Sequence, residues 1–368
     1  MSSGAIVLTG ATGVVGMELL ARLLERGEDD VVVLLRAPDQ EGADRRLADT
    51  LARLWDDPPG DARVRAIPAD VTAPGLGLTP RDRRELCATA DRVIHCAAAV
   101  GFDQPLNEAL AINALGTQRV LELAHDLADL RRVVHVSTAF VSGRYDGRFG
   151  EDDLIAGQTF RNTYEQSKHL AERLVAASGL PVVVARPSIV VGDGTSGWTP
   201  AFSALYLPLR AFARGLLDRV PADPRGIVDA VPLDYVAGAI VHLLSEPGIE
   251  GDTFNLVAGD RAACVSDVLG LAQRRFAQPQ PIFAPLQRAS GTEALVPYFD
   301  VRTQFDDARA RRVLEPAGLA APPLDALFER LMDYAEATRW GRQPTTREAA
   351  ARRAAGSAPA PAPLEAAA

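Results

Sequence analysis

A tyrosine and a lysine four residues apart are the sequence's clearest candidates for catalysis. Tyr164 and Lys168 would share one face of a helix, because residues separated by four positions are neighbours on a helical surface. A phenol ordinarily titrates at about pH 10 and exchanges protons poorly at neutral pH. A lysine cation within a few ångströms favours the phenolate, so we expect Lys168 to lower the pKa of Tyr164. The pair would then exchange a proton with a carbonyl or alcohol oxygen.

Two hydroxyl groups, Ser137 and Thr138, follow a β-branched run earlier in the chain. They would lie at the carboxyl end of a parallel strand, the edge where open α/β sheets bind ligands. A hydroxyl there can donate to an oxygen that gains charge during hydride addition. We predict Thr138, rather than Ser137, as the third catalytic residue beside Tyr164 and Lys168.

Three glycines at a spacing of three stand between the first predicted strand and the first predicted helix. In a dinucleotide-binding turn the first glycine permits the tight turn, the second lets the backbone approach the pyrophosphate, and the third lets the helix pack closely. The N-terminus of the helix adds free N–H groups and positive dipole. A merely tight turn is the alternative. The predicted phosphate-binding residues are Gly10, Thr12, Gly13, Val14, Val15 and Gly16.

Arg36 ends the second predicted strand, twenty residues beyond Gly16. An acidic residue there would accept hydrogen bonds from the adenosine ribose hydroxyls, whereas arginine offers a cation and a donor fork to a 2′-phosphate. The sequence therefore predicts NADPH rather than NADH. A solvated arginine at the end of a strand is the alternative.

Apolar strand segments alternate with amphipathic helical segments over the first two-thirds of the chain. The predicted strands are 5–9, 31–36, 64–68, 92–96, 132–137 and 182–186, and the predicted helices include 14–25, 42–54, 106–127 and 163–177. Such alternation implies right-handed crossovers and a parallel sheet covered on both faces. The predicted fold class is α/β, a Rossmann-type doubly wound parallel sheet with a smaller, mostly helical substrate-binding lobe.

The regular alternation of strand and helix segments ends after residue 190. We predict a dinucleotide-binding domain over 1–190, whose sheet is rejoined by strands at 227–232 and 253–257. Residues 191–226 and 258–340 would form the substrate-binding lobe. Residues 341–368 are rich in Ala, Arg and Pro, and we predict a disordered tail there.

Composition argues against several other classes of protein. Three scattered cysteines indicate a reducing, cytoplasmic location and no disulfide framework. The five histidines do not cluster with cysteines or carboxylates at ligand spacing, so no metal site is predicted. No apolar run approaches the roughly 20 residues of a membrane span, and the start does not have the pattern of a leader peptide. A net charge of −9 disfavours nucleic acid as a partner.

In order and spacing, these motifs resemble the extended short-chain dehydrogenases/reductases over about residues 6–339. Within that superfamily the chain is most similar to the thioester-reductase and fatty-acyl-CoA-reductase ("male sterility") branch. The similarity is carried by segments 36–37, 69–78, 95–98, 112–117, 136–141, 162–168 and 185–190, with Val100 and Phe102.

The resemblance implies further cofactor-binding residues. By that likeness Asp70 and Val71 border the adenine and Asn113 supports the active-site network. Apart from the likeness, the remaining donors of Lys168 can also hold the nicotinamide ribose. The remaining implied positions are Cys96, Ala97 and Ala98 along the dinucleotide channel, Pro187 and Ile189 beside the nicotinamide, and Tyr164 itself. Packing explains Ala97 and Ala98 equally well. His95 is predicted to be a packed core histidine rather than a catalyst.

The resemblance also implies a function, the NADPH-dependent reduction of an acyl thioester to an aldehyde or alcohol. The thioester would be carried by coenzyme A or by an acyl carrier protein acting in trans, since no carrier or adenylation domain precedes the motifs. His169 departs from the aromatic residue that often follows the lysine in carrier-linked reductases. The long C-terminal extension of membrane-associated fatty-acyl reductases is also absent.

Three alternative functions stay open. The same machinery would serve a ketone/alcohol oxidoreductase acting on a bulky apolar metabolite, such as a polyketide or a sterol-like ring. A sugar-nucleotide epimerase or dehydratase is disfavoured by Arg36 and by Ala139 and Phe140, which stand where a dehydratase needs carboxyl groups. A non-catalytic binding module would have no need of Tyr164 and Lys168 together.

The substrate lobe also has a local excess of arginine. Arg210 and Arg214 are four apart and would share a helical face, with Arg219 and Arg225 shortly after them. This group would suit the phosphates of coenzyme A or an acidic carrier protein. A solvated helix face is the alternative.

Overall fold

A seven-stranded parallel sheet is the centre of the structure, a computed structural model that describes residues 4–27, 29–60, 63–284, 298 and 300–357. Its strands are β1 (Ala5–Thr9), β2 (Val31–Leu35), β3 (Val64–Pro68), β4 (Ala90–His95), β5 (Arg132–Val136), β7 (Val182–Pro187) and β12 (Thr253–Leu256). The strand order is β12-β7-β5-β4-β1-β2-β3. The shorter strands are β6 (Gly147–Phe149), β8 (Ile189–Val191), β9 (Arg219–Pro221), β10 (Ile227–Val228), β11 (Ala230–Pro232), β13 (Ala263–Cys264), β14 (Ile282–Ala284) and β15 (Thr303–Phe305).

Helices cover both faces of this sheet. The helices of the described residues, which include those of the lobe beyond the sheet, are α1 (Val14–Arg26), α2 (Gln40–Leu54), α3 (Pro80–Thr89), α4 (Leu106–Asn113), α5 (Leu115–His125), α6 (Thr163–Ala176), α7 (Tyr206–Ala213), α8 (Leu233–Leu243), α9 (Val265–Phe276), α10 (Ala308–Leu314), α11 (Leu324–Ala337) and α12 (Arg347–Ser357). Successive residues of β1 point to opposite faces, as the pleat of a strand requires. Ile6 and Leu8 pack in one apolar cluster with α1 and α8, while Val7 packs in a second cluster with α5. This arrangement confirms the predicted Rossmann-type fold class.

The predicted strands of the first 190 residues agree with the structure to within two residues at each end. The prediction of one helix over 106–127 is wrong, because α4 ends at Asn113 and α5 begins at Leu115. The Thr117 hydroxyl donates to the carbonyl oxygen of Asn113 at 2.6 Å. A side-chain hydrogen bond of this kind bends a helix, and here the break directs the Asn113 side chain toward α6.

The strand predicted at 253–257 does join the sheet as β12, but the strand predicted at 227–232 does not. That segment is split at Asp229 into β10, which pairs with β13, and β11, which pairs with β8. The buried Asp229 carboxylate accepts hydrogen bonds from the backbone N–H groups of Ala258 and Gly259 at 2.8 and 3.0 Å. These hydrogen bonds hold Asp229 between β10 and β11, where the chain turns away from the seven-stranded sheet.

Helices α7, α9 and α11 enclose a third apolar cluster beyond β8. Leu209 and Phe212 of α7 are buried in it. The Tyr206 hydroxyl accepts a hydrogen bond from the Gly192 N–H at 2.9 Å, just after β8 ends. Helix α7 is therefore fixed to the strand that continues from the carboxyl end of β7.

The prediction of a disordered tail over 341–368 is wrong for residues 347–357, which form α12. Arg347 donates to both carboxylate oxygens of Glu18, at 2.6 and 3.0 Å, and Glu18 is fully buried in α1. Helix α12 thus supplies the positive charge of Arg347 to the buried Glu18 carboxylate. The alanine-rich composition of this segment does not indicate such an ion pair. Residues 358–368 lie outside the described residues. Within the described part of the chain, no helix combines the length and apolarity that crossing a membrane requires.

Candidate active site

The glycine turn between β1 and α1 has the geometry of a phosphate-binding turn. Gly10 has a φ of 76°, and a Cβ atom added to it would lie 2.5 Å from the Ala97 nitrogen. A Cβ added to Gly16 would lie 2.0 Å from the Gly10 carbonyl oxygen, so neither position accepts a side chain. At Gly13 the nearest atom would be 3.4 Å away, which leaves the backbone open to an approaching group.

No side chain caps the N-terminus of α1 at Gly13. Its first N–H groups and its positive dipole are therefore free to bind an anion. Thr12, Val14 and Val15 are half-buried in the same turn. These features fit the pyrophosphate of a dinucleotide.

Arg36 and Asp70 lie at the ends of neighbouring strands, β2 and β3. Arg36 is exposed. The Asp70 carboxylate accepts hydrogen bonds from the Thr72 N–H and hydroxyl, both at 2.7 Å. Burial raises the pKa of Asp70, but the bonds from Thr72 and the charges of Arg36 and Arg119 outweigh it, and the net pKa is lowered. The site thus presents an exposed cation beside a firmly ionised carboxylate.

Val71 packs against α5 next to Asp70. A Cβ added to Gly116 would lie 3.1 Å from the Cβ of Val71. Arg119 donates to the Val71 carbonyl oxygen at 3.0 Å. These contacts fix the loop after β3 against α5.

The structure brings Thr138, and not Ser137, to Tyr164. The Thr138 hydroxyl lies close enough to the Tyr164 phenol to lower its pKa, and it donates to the Pro187 carbonyl oxygen at the end of β7 at 3.4 Å. The Ser137 hydroxyl instead donates to the Glu172 carboxylate. The two adjacent hydroxyls therefore face different partners, which sequence alone could not decide.

The phenol of Tyr164 is more firmly protonated than the sequence predicted. Burial of the hydroxyl raises the pKa of Tyr164 to about 12, while the hydrogen bond from Thr138 opposes that rise. The expected lowering of the Tyr164 pKa is wrong for this structure, because burial of the phenol is the largest effect on it and the net pKa is raised. A phenol in this state holds its proton at neutral pH and is suited to donate it to a stronger base.

Lys168 is fully buried, and its ammonium group is directed at β5. Its Nζ donates to the Val136 carbonyl oxygen at 2.7 Å and lies 3.5 Å from Nε2 of His135. Burial lowers the pKa of Lys168 to about 8, opposed by the nearby Glu172 and Cys96. The lysine is therefore poised to change its charge within the physiological range of pH.

A buried ion pair stands behind the lysine. Arg186 of β7 and Glu172 of α6 meet with N–O distances of 2.6, 3.0 and 3.1 Å, and both side chains are 2% exposed. Glu172 lies one turn after Lys168 on the same helix. Sequence reasoning missed this pair, although a charged residue inside the apolar run 182–187 is a signal that could have revealed it.

Asn113 connects the loop after β4 to α6. Its side chain accepts from the Ala99 N–H at 2.7 Å, and its Nδ2 donates to the Ala99 carbonyl at 3.0 Å and to the Ser167 hydroxyl at 2.9 Å. Ser167 in turn donates to the Tyr164 carbonyl oxygen. This bridge fits the supporting role that the resemblance implied for Asn113.

The end of β4 carries the remaining predicted channel residues. Burial of the thiol raises the pKa of Cys96 to about 11, opposed by the charge of Lys168 nearby. The backbone N–H groups of Cys96 and Ala97 donate to the Thr9 hydroxyl, both at 3.2 Å, and Ala98 follows in the same loop. His95 is buried with both ring nitrogens bonded, to Thr9 and to Thr117, which confirms its prediction as a core histidine.

Pro187 and Ile189 stand on either side of the break between β7 and β8. Pro187 is buried at the carboxyl end of β7, and Ile189 is half-buried at the start of β8. Both are at the sheet edge that also carries Thr138. The structure therefore brings the predicted nicotinamide-side residues together at one edge.

Three aromatic residues, Phe102, Phe140 and Tyr298, pack together beside Tyr164. The ring of Phe102 is 6.0 Å from that of Tyr164 and stacks on Tyr298 at 4.9 Å. Phe140 meets Tyr298 edge-on at 5.2 Å. Tyr298 also accepts a hydrogen bond from Asn162 at 2.8 Å. Sequence reasoning missed Tyr298, which is 134 positions from Tyr164 and belongs to no recognisable motif.

Comparisons with known proteins identify a matching family and several relatives. The model of the family described as "Male sterility protein" matches residues 8–240. Fatty acyl-CoA reductase 1 of Xenopus laevis is 29% identical over 269 residues, which are 63% of this chain and 52% of that protein. A linear gramicidin synthase of Brevibacillus parabrevis is 31% identical over 265 residues, which are 69% of this chain and 5% of that protein. The chain thus spans about half the length of the fatty acyl-CoA reductases it matches.

A solved structure is similar over nearly the whole chain. The terminal R domain from the myxalamid PKS-NRPS biosynthetic pathway superposes with a TM-score of 0.80 at 25% identity. The match covers 94% of this chain and 93% of that domain. The similarity therefore extends over the sheet and the lobe beyond β8.

Proposed function

The chain belongs to the male sterility protein family of extended short-chain dehydrogenases/reductases and is an NAD(P)-dependent oxidoreductase, and from this premise we propose that it reduces acyl thioesters with NADPH. The observation that carries the proposal is that Thr138 and Tyr164 lie together at the carboxyl edge of the sheet, where the Thr138 hydroxyl acts on the Tyr164 phenol. The phosphate-binding turn ends at that same edge. The fatty acyl-CoA reductase reported above is by name a reductase of acyl thioesters of coenzyme A, which supports the same chemistry here.

The residues that would hold the cofactor form one continuous strip along this edge. The turn from Gly10 to Gly16 would bind the pyrophosphate, Arg36 the 2′-phosphate, and Asp70 and Val71 the adenine side. Lys168, Pro187 and Ile189 would position the nicotinamide end. When bound, the nicotinamide supplies the hydride that reduces the acyl carbon.

The chain's own residues act on the substrate oxygen. Thr138 and Tyr164 donate hydrogen bonds to the thioester oxygen as it gains negative charge. Tyr164, whose pKa is raised to about 12 by burial, then gives its proton to that oxygen, which is the stronger base. The resulting thiohemiacetal breaks its carbon–sulfur bond and releases aldehyde and thiol. A second hydride and a second proton would convert the aldehyde to an alcohol.

One experiment separates this function from its alternatives. The purified protein is mixed with NADPH and with three panels of substrates, acyl-CoA thioesters, bulky ketones and UDP-sugars, and cofactor oxidation is followed together with product identity. We expect oxidation with acyl-CoA and the appearance of aldehyde or alcohol. Turnover of ketones or UDP-sugars alone, with every thioester inert, would overturn the proposal.

Arg36 should determine the choice of cofactor. We expect NADPH to bind at least about tenfold more tightly than NADH, a difference of about 1.4 kcal/mol, because a guanidinium pairs with the 2′-phosphate. Arg36→Ala should remove most of that difference. Dissociation constants from fluorescence titration provide the measurement, and Arg45→Ala is the control, since Arg45 is exposed and pairs with Glu41 on α2. Equal affinities in the native protein would contradict the assignment.

The charge of Lys168 predicts how cofactor binding depends on pH. Its pKa is lowered to about 8, so the ammonium is charged below that pH and neutral above it. If Lys168 holds the nicotinamide ribose as a cation, the Kd for NADPH should rise as the pH passes upward through about 8. In Lys168→Arg the side chain stays charged throughout, so this rise should disappear. A native Kd that stays constant well above pH 8 would show that the lysine charge is not used.

A further inference from the structure

Lys168 is the only lysine of the sequence, which has 39 lysine and arginine residues in all. Every other position counted in that total is an arginine, whose guanidinium stays charged and does not give up its proton in a protein. The one lysine is also buried, on α6. A single buried lysine in a chain that otherwise uses arginine indicates a position that requires an ammonium group.

Two groups of β5 engage this ammonium group. The Nζ of Lys168 donates to the Val136 carbonyl oxygen at 2.7 Å and lies 3.5 Å from Nε2 of His135, the preceding residue. An ammonium group has three N–H donors and no acceptor. Among the described residues Nζ has no third partner. One donor is therefore left for a group that the protein itself does not supply.

The contact with the ammonium group determines where the proton of His135 lies. Burial and the charge of Lys168 hold the pKa of His135 well below its usual range, so the ring is neutral and carries one proton. A proton on Nε2 would face the N–H groups of Lys168, so the proton must lie on Nδ1. Nδ1 is buried and has no hydrogen-bond partner in the described part of the chain. An unpaired buried donor is costly, and the bond that Nε2 accepts from a charged group offsets that cost.

His95 lies beside His135 but does not exchange a proton with it. The ring centroids are 5.4 Å apart. The Thr117 hydroxyl donates to the carbonyl oxygen four residues earlier, so it accepts from Nε2 of His95 at 3.0 Å. Nδ1 of His95 then accepts from the Thr9 hydroxyl at 2.8 Å. Both nitrogens of His95 are used in this way, so His135 is not a link in a proton relay through His95.

The other charged and titratable groups near Lys168 come from α6, β7 and the end of β4. Glu172 lies one turn later on α6 and pairs with Arg186 of β7, and Cys96 follows β4. Burial disfavours the charged lysine, whereas Glu172 and Cys96 favour it. None of these groups is altered when the acceptor on β5 is removed, so the effect of that acceptor on Lys168 can be measured by itself.

We propose that His135 is a positioning residue whose Nε2 accepts a hydrogen bond from the Lys168 ammonium group while its own proton stays on Nδ1, an inference that rests on the proposed cofactor role of Lys168. Together with the Val136 carbonyl oxygen it holds Nζ in place and leaves the third donor for the nicotinamide ribose. A hydrogen bond accepted from the charged form favours that form. His135 therefore also helps to keep the buried lysine charged at neutral pH.

The single lysine allows a direct test by nuclear magnetic resonance on the full chain, without cofactor or substrate. Lysine labelled with ¹³C at Cε gives one resonance, and its titration midpoint reports the charge of Lys168. We expect a native midpoint near the pKa of about 8. His135→Leu loses the acceptor, so its midpoint should be at least about one pH unit lower, the effect of losing a hydrogen bond to a charged group. In His135→Gln the amide oxygen can replace Nε2, and the midpoint should stay close to the native one.

A control and a second measurement accompany this titration. His125→Gln is the matched control, because 77% of the His125 side chain is exposed, and it should leave the Lys168 midpoint unchanged. In native protein with ¹⁵N-labelled histidine, the nitrogen shifts distinguish the two neutral forms of each ring. The His135 signals, identified by their absence from His135→Gln, should be those of the Nδ1–H form wherever Lys168 is charged. This measurement does not depend on the folding of the leucine variant.

The outcomes separate this proposal from the proposed function. Equal midpoints in the native protein and His135→Leu would overturn it, and so would equal shifts in the leucine and glutamine variants, because packing alone predicts no difference between them. A His135 ring protonated on Nε2 beside the charged lysine would overturn it as well. If both measurements agree with expectation but no thioester is reduced, the positioning of Lys168 stands and the proposed function fails. If thioesters are reduced while the midpoint is the same in every variant, the reverse holds.

Discussion

Replacing Tyr164 with phenylalanine should lower kcat for thioester reduction by about 10²–10⁴-fold, the usual contribution of a positioned general acid. The variant keeps the aromatic ring and its packing against Phe102, and it loses only the hydroxyl that donates the proton in the proposed mechanism. We therefore expect the Kd for NADPH to change little. Steady-state kinetics with the accepted thioester gives kcat, and fluorescence titration gives the Kd.

A second tyrosine supplies the control for this experiment. Tyr145 is half-buried and packs edge-on against Phe149 at 5.5 Å, but it is placed in no proposed catalytic contact. Tyr145→Phe should retain turnover close to that of the native protein. A Tyr164→Phe variant with near-native kcat would remove Tyr164 from the proposed mechanism, whatever the behaviour of the control.

The predicted site residues that the structure places at one edge of the sheet share one physical origin. The carboxyl ends of parallel strands lie along one edge of the sheet. Residues that follow β1, β2, β3, β4, β5 and β7 must therefore lie along that edge. The glycine turn can also be predicted from sequence, since glycine is the residue that tolerates the φ of Gly10 and the close approach of the backbone at Gly16. Knowing which segments are parallel strands was enough to predict that Gly10, Arg36, Asp70 and Thr138 lie along one edge of the sheet.

The parts that sequence missed depend on contacts across long separations. Tyr298 stacks on Phe102 and accepts a hydrogen bond from Asn162, although it belongs to no motif. No periodicity in the sequence could have predicted these contacts. The direction of the Tyr164 pKa was also predicted wrongly. Spacing along a helix gives the position of Lys168 relative to Tyr164, but it gives neither the burial of the phenol nor the carbonyl that engages the lysine.

The buried pair of Glu172 and Arg186 suggests a role in keeping this site in shape. It joins α6, which carries Tyr164 and Lys168, to β7, which ends at Pro187 beside Thr138. Glu172 also accepts from Ser137, so a single carboxylate contacts β5, α6 and β7. Its charge favours the protonated form of Lys168. Removing the carboxylate should therefore affect both the stability of the fold and the titration of the lysine.

Glu172→Gln should lower the free energy of unfolding by about 3–5 kcal/mol, the range observed when one partner of a buried ion pair is removed. The Arg186 guanidinium, 2% exposed, would remain charged and without its counter-ion. Urea denaturation measures the loss, with the dependence on urea concentration checked for an unchanged slope. The matched control is Glu41→Gln, which removes an exposed i,i+4 pair with Arg45 and should cost no more than about 0.5 kcal/mol.

A double variant tests whether the loss comes from the uncompensated charge. In Glu172→Met with Arg186→Met both charges are replaced by apolar groups of similar length, and much of the stability should return, because a buried pair replaced as a whole is often close to neutral. Since Glu172 favours the protonated lysine, the pH at which NADPH binding weakens should also move downward in Glu172→Gln. A Glu172→Gln protein as stable as the Glu41→Gln control would show that α6 and β7 are held together by apolar packing alone, and that the ion pair is not needed to position Tyr164 against Thr138.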